Sequence, residues 1–308
     1  MSGGGTDGGH GAAADADGAN RPTWSDPAAI SALLVEGWSD PGEIAAVTAF
    51  ADLVRDAPVL DLGTGTGRTI PLLRLATSHY VGVDYTPAMV ALARHRYPGE
   101  DIREGDARDL GSLPDAGFAG VAFSFNGIDA VDHDDRPQVY AAVRRVLAPG
   151  GHFLYSTLHK DGPAYTQRPW RRQSLPWLVG SLAPSRRPLP LRAAAAALRG
   201  LRDPGRLPRQ QRNWRRLKSQ ACDGGDWAMA PTDAHDFGLL VHYTTIDGEL
   251  RSVTEAGFDV VQTFAAEDGA TVHTGGEHRG VRWFHVLARR SDAVRAESRH
   301  DVVEDAEH

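Results

Sequence analysis

Short apolar runs, each closing on an acidic or polar residue, recur through the first half of the chain. Four of them occupy residues 58–62, 79–84, 101–107 and 120–127, and a fifth follows the helix stop at Pro149-Gly150-Gly151. Runs of this length are typical of buried parallel strands, and the amphipathic stretches between them favour helices. The alternation predicts an α/β fold built on a mostly parallel sheet.

The first run leads into a turn with glycine at alternate positions, Gly63-Thr64-Gly65-Thr66-Gly67. Glycine accepts positive φ and lets a ligand approach the backbone. Such a turn presents bare N–H groups at a helix start, as a nucleotide-type ligand needs. A dinucleotide fingerprint would require its last glycine at Arg68, so the spacing disfavours a nicotinamide oxidoreductase.

Carboxylates stand at three successive predicted strand ends: Asp61, Asp84 and Asp106. Open α/β sheets bind ligands at the carboxyl ends of their strands, so these side chains are candidates for one site. Asp84 lies about 20 residues beyond the first glycine, where a ribose-hydroxyl acceptor is expected. The alternative is that the three acids only cap their strands.

Four motifs in register resemble those of the class I S-adenosylmethionine-dependent methyltransferases of the small-molecule type (types 11 and 25). They are residues 60–67, Val83-Asp84, Gly105-Asp106-Ala107 and residues 147–151. The resemblance covers residues 59–157 and, less closely, 243–289. It implies a Rossmann-like sheet of seven strands, mostly parallel with an antiparallel last strand, and S-adenosyl-L-methionine as cofactor.

The resemblance also implies roles for individual residues toward that cofactor. Asp61 and the turn would hold the methionine moiety, Asp84 the ribose hydroxyls, and Asp106 with the Ala107 backbone the adenine. The full set of expected cofactor-binding residues is Asp61, Gly63, Thr64, Gly65, Gly67, Asp84, Tyr85, Asp106, Ala107, Phe125 and Asn126. In that set Tyr85 would flank the adenine, and Phe125-Asn126 would line the sulfonium side.

Composition divides the chain into a core with two tails and an insertion. We expect a disordered tail at 1–22, a core with leading helices at 23–158, a basic helical lid at 159–237, the rest of the core at 238–290, and a charged tail at 291–308. Helices are expected at 190–201 and 211–220 within the lid, because a structureless loop of that length is improbable in a compact domain.

The insertion is basic in a protein whose net charge is −7. Residues 159–220 carry fifteen Lys and Arg against two acids, with Trp170, Trp177 and Trp214 among them. One interpretation is a solvated lid whose arginines pair with acids of the core. The other is a surface facing an anionic acceptor, an acyl carrier protein, an anionic lipid surface or RNA.

A methyl-transfer enzyme for a small or carrier-bound acceptor is therefore the expected function. An RNA methyltransferase using the basic insertion, or a non-catalytic S-adenosylmethionine-binding protein, are the alternatives. The candidate proton-transfer residues are His159, His242, Tyr243 and His133, each of which also suits a surface or capping role. The sequence does not specify the acceptor atom or the oligomeric state.

The cysteine content and the lengths of the apolar runs bear on the cellular compartment of the protein. Its one cysteine, Cys222, excludes an intrachain disulfide framework, and the absence of a run of about 18 apolar residues excludes a membrane span. Without a signal-like N-terminus, a cytoplasmic protein is expected. No metal site is predicted, because neither His273 with His278 nor the acids at 132–135 have convincing ligand spacing.

Overall fold

The computed structural model describes residues 15–27, 30, 39–169 and 205–291. Its strands are β1 (Val59–Leu62), β2 (Tyr80–Asp84), β3 (Asp101–Glu104), β4 (Phe118–Phe123), β5 (Leu147–Leu158), β6 (Cys222–Asp223), β7 (Trp227–Thr232), β8 (Leu239–Thr244), β9 (Phe258–Ala265) and β10 (Trp283–Arg290). The α-helices are α1 (Ala16–Trp24), α2 (Pro41–Val54), α3 (Ile70–Leu73), α4 (Pro87–Arg96), α5 (Arg136–Val146), α6 (Arg206–Lys218) and α7 (Ile246–Glu255).

Seven strands form one sheet in the order β3-β2-β1-β4-β5-β10-β9. The pairs among β3, β2, β1, β4 and β5 are parallel, whereas β10 runs antiparallel to both of its neighbours. The predicted fold, a mostly parallel sheet with an antiparallel last strand, is thus confirmed. Strand order reverses between β1 and β4, which is where an open α/β sheet leaves a crevice for a ligand.

Helices cover both faces of this sheet. Apolar side chains of α2, α3 and α4 form one buried cluster with the sheet, and those of α5 and α7 form another on the opposite face. Close approach of α2 needs a glycine on β4, because a Cβ at Gly120 would lie 2.4 Å from Phe50 Cζ. Both faces are therefore closed, and the strand ends are left for function.

A second sheet occupies part of the predicted insertion. Its order is β6-β7-β8, all antiparallel, and α6 packs beside it. Strands β6 and β7 thus stand where a helical lid was expected, and the buried residues Ala228 and Met229 of β7 pair with Tyr243 and His242 of β8. The helix expected at 211–220 exists as α6, and the one at 190–201, with Trp170 and Trp177, lies outside the described residues.

The N-terminal region also differs from expectation, since α1 lies within the segment predicted to be disordered. Asp15 caps the helix by accepting the Gly18 N–H, and α1 packs on β8. Asn20, fully buried, both donates to Leu240 O and accepts from Leu240 N at 2.8 Å. These tertiary contacts order a composition that would not fold alone.

A buried ionic network links the two helices on one face. Arg136 of α5 donates to both oxygens of Glu249 on α7, at 2.8 and 3.0 Å, and to Asp129 at 3.1 Å. The three side chains are 4%, 1% and 0% exposed. Asp129 in turn accepts from Thr157 and from the Leu158 amide, so the network also fixes the end of β5. In the described part of the chain, no helix is long and apolar enough to cross a membrane.

Removing the cation of this network should be costly. We expect Arg136→Met to lower the free energy of unfolding by about 3–5 kcal/mol, because two buried carboxylates lose their partner. Urea denaturation at pH 8 measures the change. Arg289→Ala, which breaks an ion pair that is 54% exposed on both sides, is the control and should cost less than about 1 kcal/mol. Equal effects of the two changes would contradict a stabilising role for the buried network.

Candidate functional site

The glycine turn after β1 is braced by the carboxylate that ends β2. Gly63, Gly65 and Gly67 have φ of 63°, 57° and 87°, the left-handed region that favours glycine. Asp84 accepts the Gly65 N–H on one oxygen and the Thr86 N–H on the other, both at 2.8 Å. One side chain therefore holds the turn and the start of α4 together.

Asp61, on β1 just before this turn, is held by two hydroxyl groups. Its Oδ2 accepts from the Thr69 hydroxyl at 2.7 Å and from the Tyr80 hydroxyl at 2.8 Å, while Oδ1 is buried without a hydrogen-bond partner in the described structure. Burial raises its pKa to about 6, against the lowering effect of the two hydroxyl groups. The carboxylate thus supports the turn.

A cavity of about 360 Å³ opens above the turn, at the carboxyl ends of β1, β2 and β4. Eight of the expected cofactor-binding residues line it: Gly63, Thr64, Gly65, Asp84, Tyr85, Asp106, Ala107 and Phe125. Asp61, Gly67 and Asn126 stand beside it without forming its lining. Its volume suits a cofactor-sized molecule. We call it the turn cavity.

The turn cavity is lined by an excess of negative charge. Four carboxylates line it, those of Asp17, Asp84, Asp106 and Asp132. The two arginines in the lining are neutralised by acids, because Arg68 pairs with buried Glu43 and Arg108 pairs with Asp106 and Asp135. A cationic ligand would therefore be favoured over an anionic one.

The end of β4 is held in a strained conformation beside this cavity. Phe125 and Asn126 have φ of 56° and 59°, which is uncommon outside glycine. The Asn126 amide donates to the Ser156 hydroxyl at 2.8 Å, and the Asn126 Oδ1 is buried without a described partner. The guanidinium of Arg68 lies 4.8 Å from the centre of the Phe125 ring. Backbone strain of this kind concentrates at functional sites.

Helix α1 closes the turn cavity from above. Its Asp17 and Trp24 belong to the lining, and the indole N–H of Trp24 is buried without a hydrogen-bond partner among the described residues. Its first amide, at Ala16, donates to both carboxylate oxygens of Asp132 at 3.0 Å. Burial raises the pKa of Asp132 to about 6, with smaller contributions from Asp135 and Asp15.

The lining also contains residues outside the predicted set, among them Asp17, Trp24, Arg68, Arg108 and Asp132. Arg68 directly follows the last glycine of the turn, and Asp132 directly precedes the candidate His133. Their positions next to recognised motifs could therefore have marked both as candidates. Asp17 lies in the Gly/Ala/Asp-rich stretch, whose composition carries no signal of order. Only the packing of α1 on β8 brings it to the cavity.

Two of the predicted proton-transfer residues belong to a different cavity. His133 and His242 line a groove of about 910 Å³ between α5, α7 and β7. Their Nδ1 and Nε2 atoms are 3.0 Å apart, and the His133 ring is stacked on Trp227 at 3.6 Å between centroids. Burial, with a smaller contribution from Arg136, lowers the pKa of both histidines, so the pair is neutral at pH 7.

The other two predicted proton-transfer residues are buried at the junction of the two sheets. His159 lies against Val281 O, 3.2 Å from its Nδ1, and burial lowers its pKa. Tyr243 is fully buried, with its ring edge-on to Tyr165. As far as the described residues define the turn cavity, none of the four candidates lines it. Their catalytic role stays a prediction.

Comparison with known proteins identifies the central part of the chain. Residues 59–151 match the family model described as "Methyltransferase domain". A probable S-adenosylmethionine-dependent methyltransferase of Mycolicibacterium smegmatis is 40% identical over 99 residues, covering 32% of this chain and 37% of that protein. Malonyl-[acyl-carrier protein] O-methyltransferase of Serratia marcescens is 31% identical over 126 residues, covering 41% and 42%. The chain thus spans about two fifths of the length of these relatives.

A solved structure extends the likeness in fold to most of the chain. The methyltransferase CcbJ from Streptomyces caelestis superposes with a TM-score of 0.53 at 17% identity, covering 87% of this chain and 98% of that one. At this identity the likeness concerns the fold alone. Together with the family match, it confirms the class of domain that the four sequence motifs indicated.

The position of Asp61 makes stability depend on pH. Its native pKa of about 6 lies above the ordinary value of 3.8, so the native protein binds this proton more tightly than the unfolded chain does. The corresponding stability is present below pH 4 and is lost as pH rises through 6. Between pH 4 and 6 the wild type should therefore lose about 2–3 kcal/mol more unfolding free energy than Asp61→Asn. The variant can keep both hydroxyl hydrogen bonds but has no proton to lose. If the unfolding free energies of the wild type and the variant change with pH in the same way, the pKa of Asp61 is not shifted by folding.

The closure by α1 depends on Asn20. We expect Asn20→Ala to speed hydrogen exchange of the α1 amides by about tenfold or more, because the change leaves Leu240 without two buried hydrogen bonds. Exchange mass spectrometry measures the effect. Arg21→Ala is the matched control on the same helix, since that side chain is 68% exposed. Equal protection in Asn20→Ala and wild type would refute the anchoring role.

Proposed function

We propose, from the premise that this chain carries a class I S-adenosylmethionine-dependent methyltransferase domain, that it transfers the methyl group of that cofactor to a small or carrier-bound molecule. The observation that carries the proposal is the turn cavity. It combines a glycine turn, a buried carboxylate at the end of β2 and a negative lining in one cavity. A nucleoside with a cationic amino-acid arm matches each of these features.

Asp84 suits the ribose. A carboxylate offers about four lone-pair sites, and backbone amides occupy one site on each oxygen of Asp84. The remaining sites can accept two neighbouring hydroxyl groups. Burial raises the pKa of Asp84, because the ionised carboxylate has lost part of its hydration. Hydroxyl donors at the remaining sites would stabilise the ionised form.

The rest of the lining suits the two ends of the cofactor. Asp106 and Ala107 line the turn cavity, which supports a role toward the adenine, and the glycines of the turn support one toward the amino-acid arm. Phe125 also lines it, which supports a role on the sulfonium side, and the nearby Asn126 Oδ1 is a buried acceptor without a described partner. Asp61 supports this set indirectly, by fixing the turn through Thr69 and Tyr80.

When bound, the cofactor supplies the electrophilic methyl group, so the protein need not supply one. What the chain supplies is orientation and the exclusion of water, through the braced turn below and α1 above. The negative lining stabilises the positive charge of the bound sulfonium. Asp132, which faces the cavity with a pKa of about 6, is better placed than the four predicted residues to accept a proton from an acceptor.

Part of the basic insertion pairs with acids of the protein itself. Arg206 and Arg209 bind Asp236, and Lys160 binds Asp223. Both acids belong to the insertion itself, so these pairs hold its described part together, whereas the solvated-lid interpretation expected partners in the core. Arg212, Arg215 and Lys218 are exposed on α6 and remain available to an anionic or carrier-bound acceptor. No observation on the described residues favours an RNA acceptor or a non-catalytic protein.

Calorimetric titration with S-adenosylhomocysteine tests cofactor binding. We expect the full chain to bind it, and Asp84→Ala to weaken binding by about 1–3 kcal/mol, because a buried acceptor of the ribose is lost together with the brace of the turn. Transfer of a labelled methyl group into fractionated small metabolites and carrier proteins should fall in the same variant.

Asp52→Ala is the control for this titration, since Asp52 is exposed on α2 away from the turn cavity. It should bind as the wild type does. Absence of binding by the wild type at high micromolar ligand would refute the proposed function. Equal binding by wild type and Asp84→Ala would remove Asp84 from the site.

A further inference from the structure

Arg108 holds the carboxylate of Asp106 from three donors. Its backbone N–H donates to Oδ1 at 2.8 Å, its Nε lies 3.0 and 3.1 Å from the two oxygens, and its Nη2 donates to Oδ2 at 2.6 Å. Both residues line the turn cavity. Such a fork fixes the plane of the carboxylate as well as its position.

The same guanidinium is anchored at its far end. Its Nη1 donates to Asp135 at 2.8 Å, at the N-terminus of α5. Arg108 therefore connects the segment after β3 with the segment after β4, which form two walls of the turn cavity. The backbone beneath Asp106 is also fixed, because Gly105 N donates to Asp84 O at 3.0 Å. The carboxylate has little freedom to turn away from the cavity.

Arg108 also fixes the protonation state of its partner. Half-burial by itself raises the pKa of Asp106, but the hydrogen bonds and charge of Arg108, with a contribution from Arg21, hold that pKa below its ordinary value. Asp106 is thus ionised at neutral pH, where it can only accept hydrogen bonds. Arg108 directs three N–H groups at this carboxylate, and the Nε–H is shared between the two oxygens. Of the roughly four lone-pair sites of a carboxylate, one therefore remains for a further N–H.

We propose that Arg108 is a positioning residue that makes Asp106 selective for a purine bearing an exocyclic amino group. An ionised, oriented carboxylate accepts an N–H from the amino group of adenine. It repels the carbonyl oxygen that hypoxanthine carries at the same place, because two acceptors then face each other. The inference rests on the proposed function, since it names how the cofactor site reads its base.

The chain provides a matched control on the same segment. Arg103 binds Asp101 with the same two-residue spacing and the same fork, at 2.9 Å from Nε and 2.6 Å from Nη2. That pair is exposed, with side chains 43% and 47% accessible, and neither residue lines the turn cavity. Arg103→Ala therefore removes an equivalent ion pair without touching the base-reading carboxylate.

The test measures dissociation constants for S-adenosylhomocysteine and its deaminated analogue, S-inosylhomocysteine, by calorimetry. We expect wild type and Arg103→Ala to prefer the adenine compound by about tenfold or more, the scale on which a site rejects a mismatched polar group. Arg108→Ala should weaken adenine binding about tenfold and reduce the preference toward unity. Arg108→Lys, which keeps the charge without the fork, should recover part of both.

The outcomes separate this inference from the proposed function. If wild type binds neither compound, the proposed function fails. If wild type binds S-adenosylhomocysteine but Arg108→Ala keeps the same affinity and preference, only the role of Arg108 fails. Tighter binding by Arg108→Ala would show that the arginine competes with the base and would overturn the inference. An equal loss of affinity and preference in Arg103→Ala would also overturn the inference, since the loss would then reflect damage to the β3 region and not the contact with Asp106.

Discussion

The double contact of Asp84 with the backbone is the interaction on which the site depends. One carboxylate at the end of β2 accepts an amide from the glycine turn after β1 and an amide from the start of α4. Parallel pairing of β1 with β2 brings these groups together, since Leu62 is in register with Val83. The turn cannot move independently of β2, so the floor of the cavity is set before any ligand arrives.

The segment between β4 and α5 has a comparable role on the other side of the cavity. Asp129 ties it to the end of β5, Asp132 holds the first amide of α1, and His133 contacts His242 of the smaller sheet. This short segment thus separates the turn cavity from the groove behind it. It also connects three parts of the chain that are far apart in sequence. Burial raises the pKa of two of its acids, that of Asp129 to about 7 and that of Asp132 to about 6, and of these two Asp132 lines the cavity.

Much of this site was predictable because it is local. The strands, the turn spacing, Asp84, and the segment Gly105-Asp106-Ala107 are short patterns whose geometry follows from parallel pairing and glycine conformation. The fold class followed from them, and the family resemblance that they carry supplied the full set of eight predicted residues that line the cavity. The role of Asp61 was harder to assign, since a strand-end acid can face the ligand or support the turn, and only the positions of Thr69 and Tyr80 decide between them.

What the sequence determined by itself is the core sheet and the chemistry of its edge, because periodicity and turn residues act over a few positions. Tertiary structure alone decided what covers that edge. Helix α1 has a composition typical of disorder and is ordered by Asn20 and Asp132, over 200 and 100 residues away from their partners. Two of the four predicted proton-transfer residues, His242 and Tyr243, lie away from the cavity because the pairing of β7 with β8 carries them into a second sheet. Contacts between segments so distant in sequence leave no local pattern, so they are read only from the folded chain.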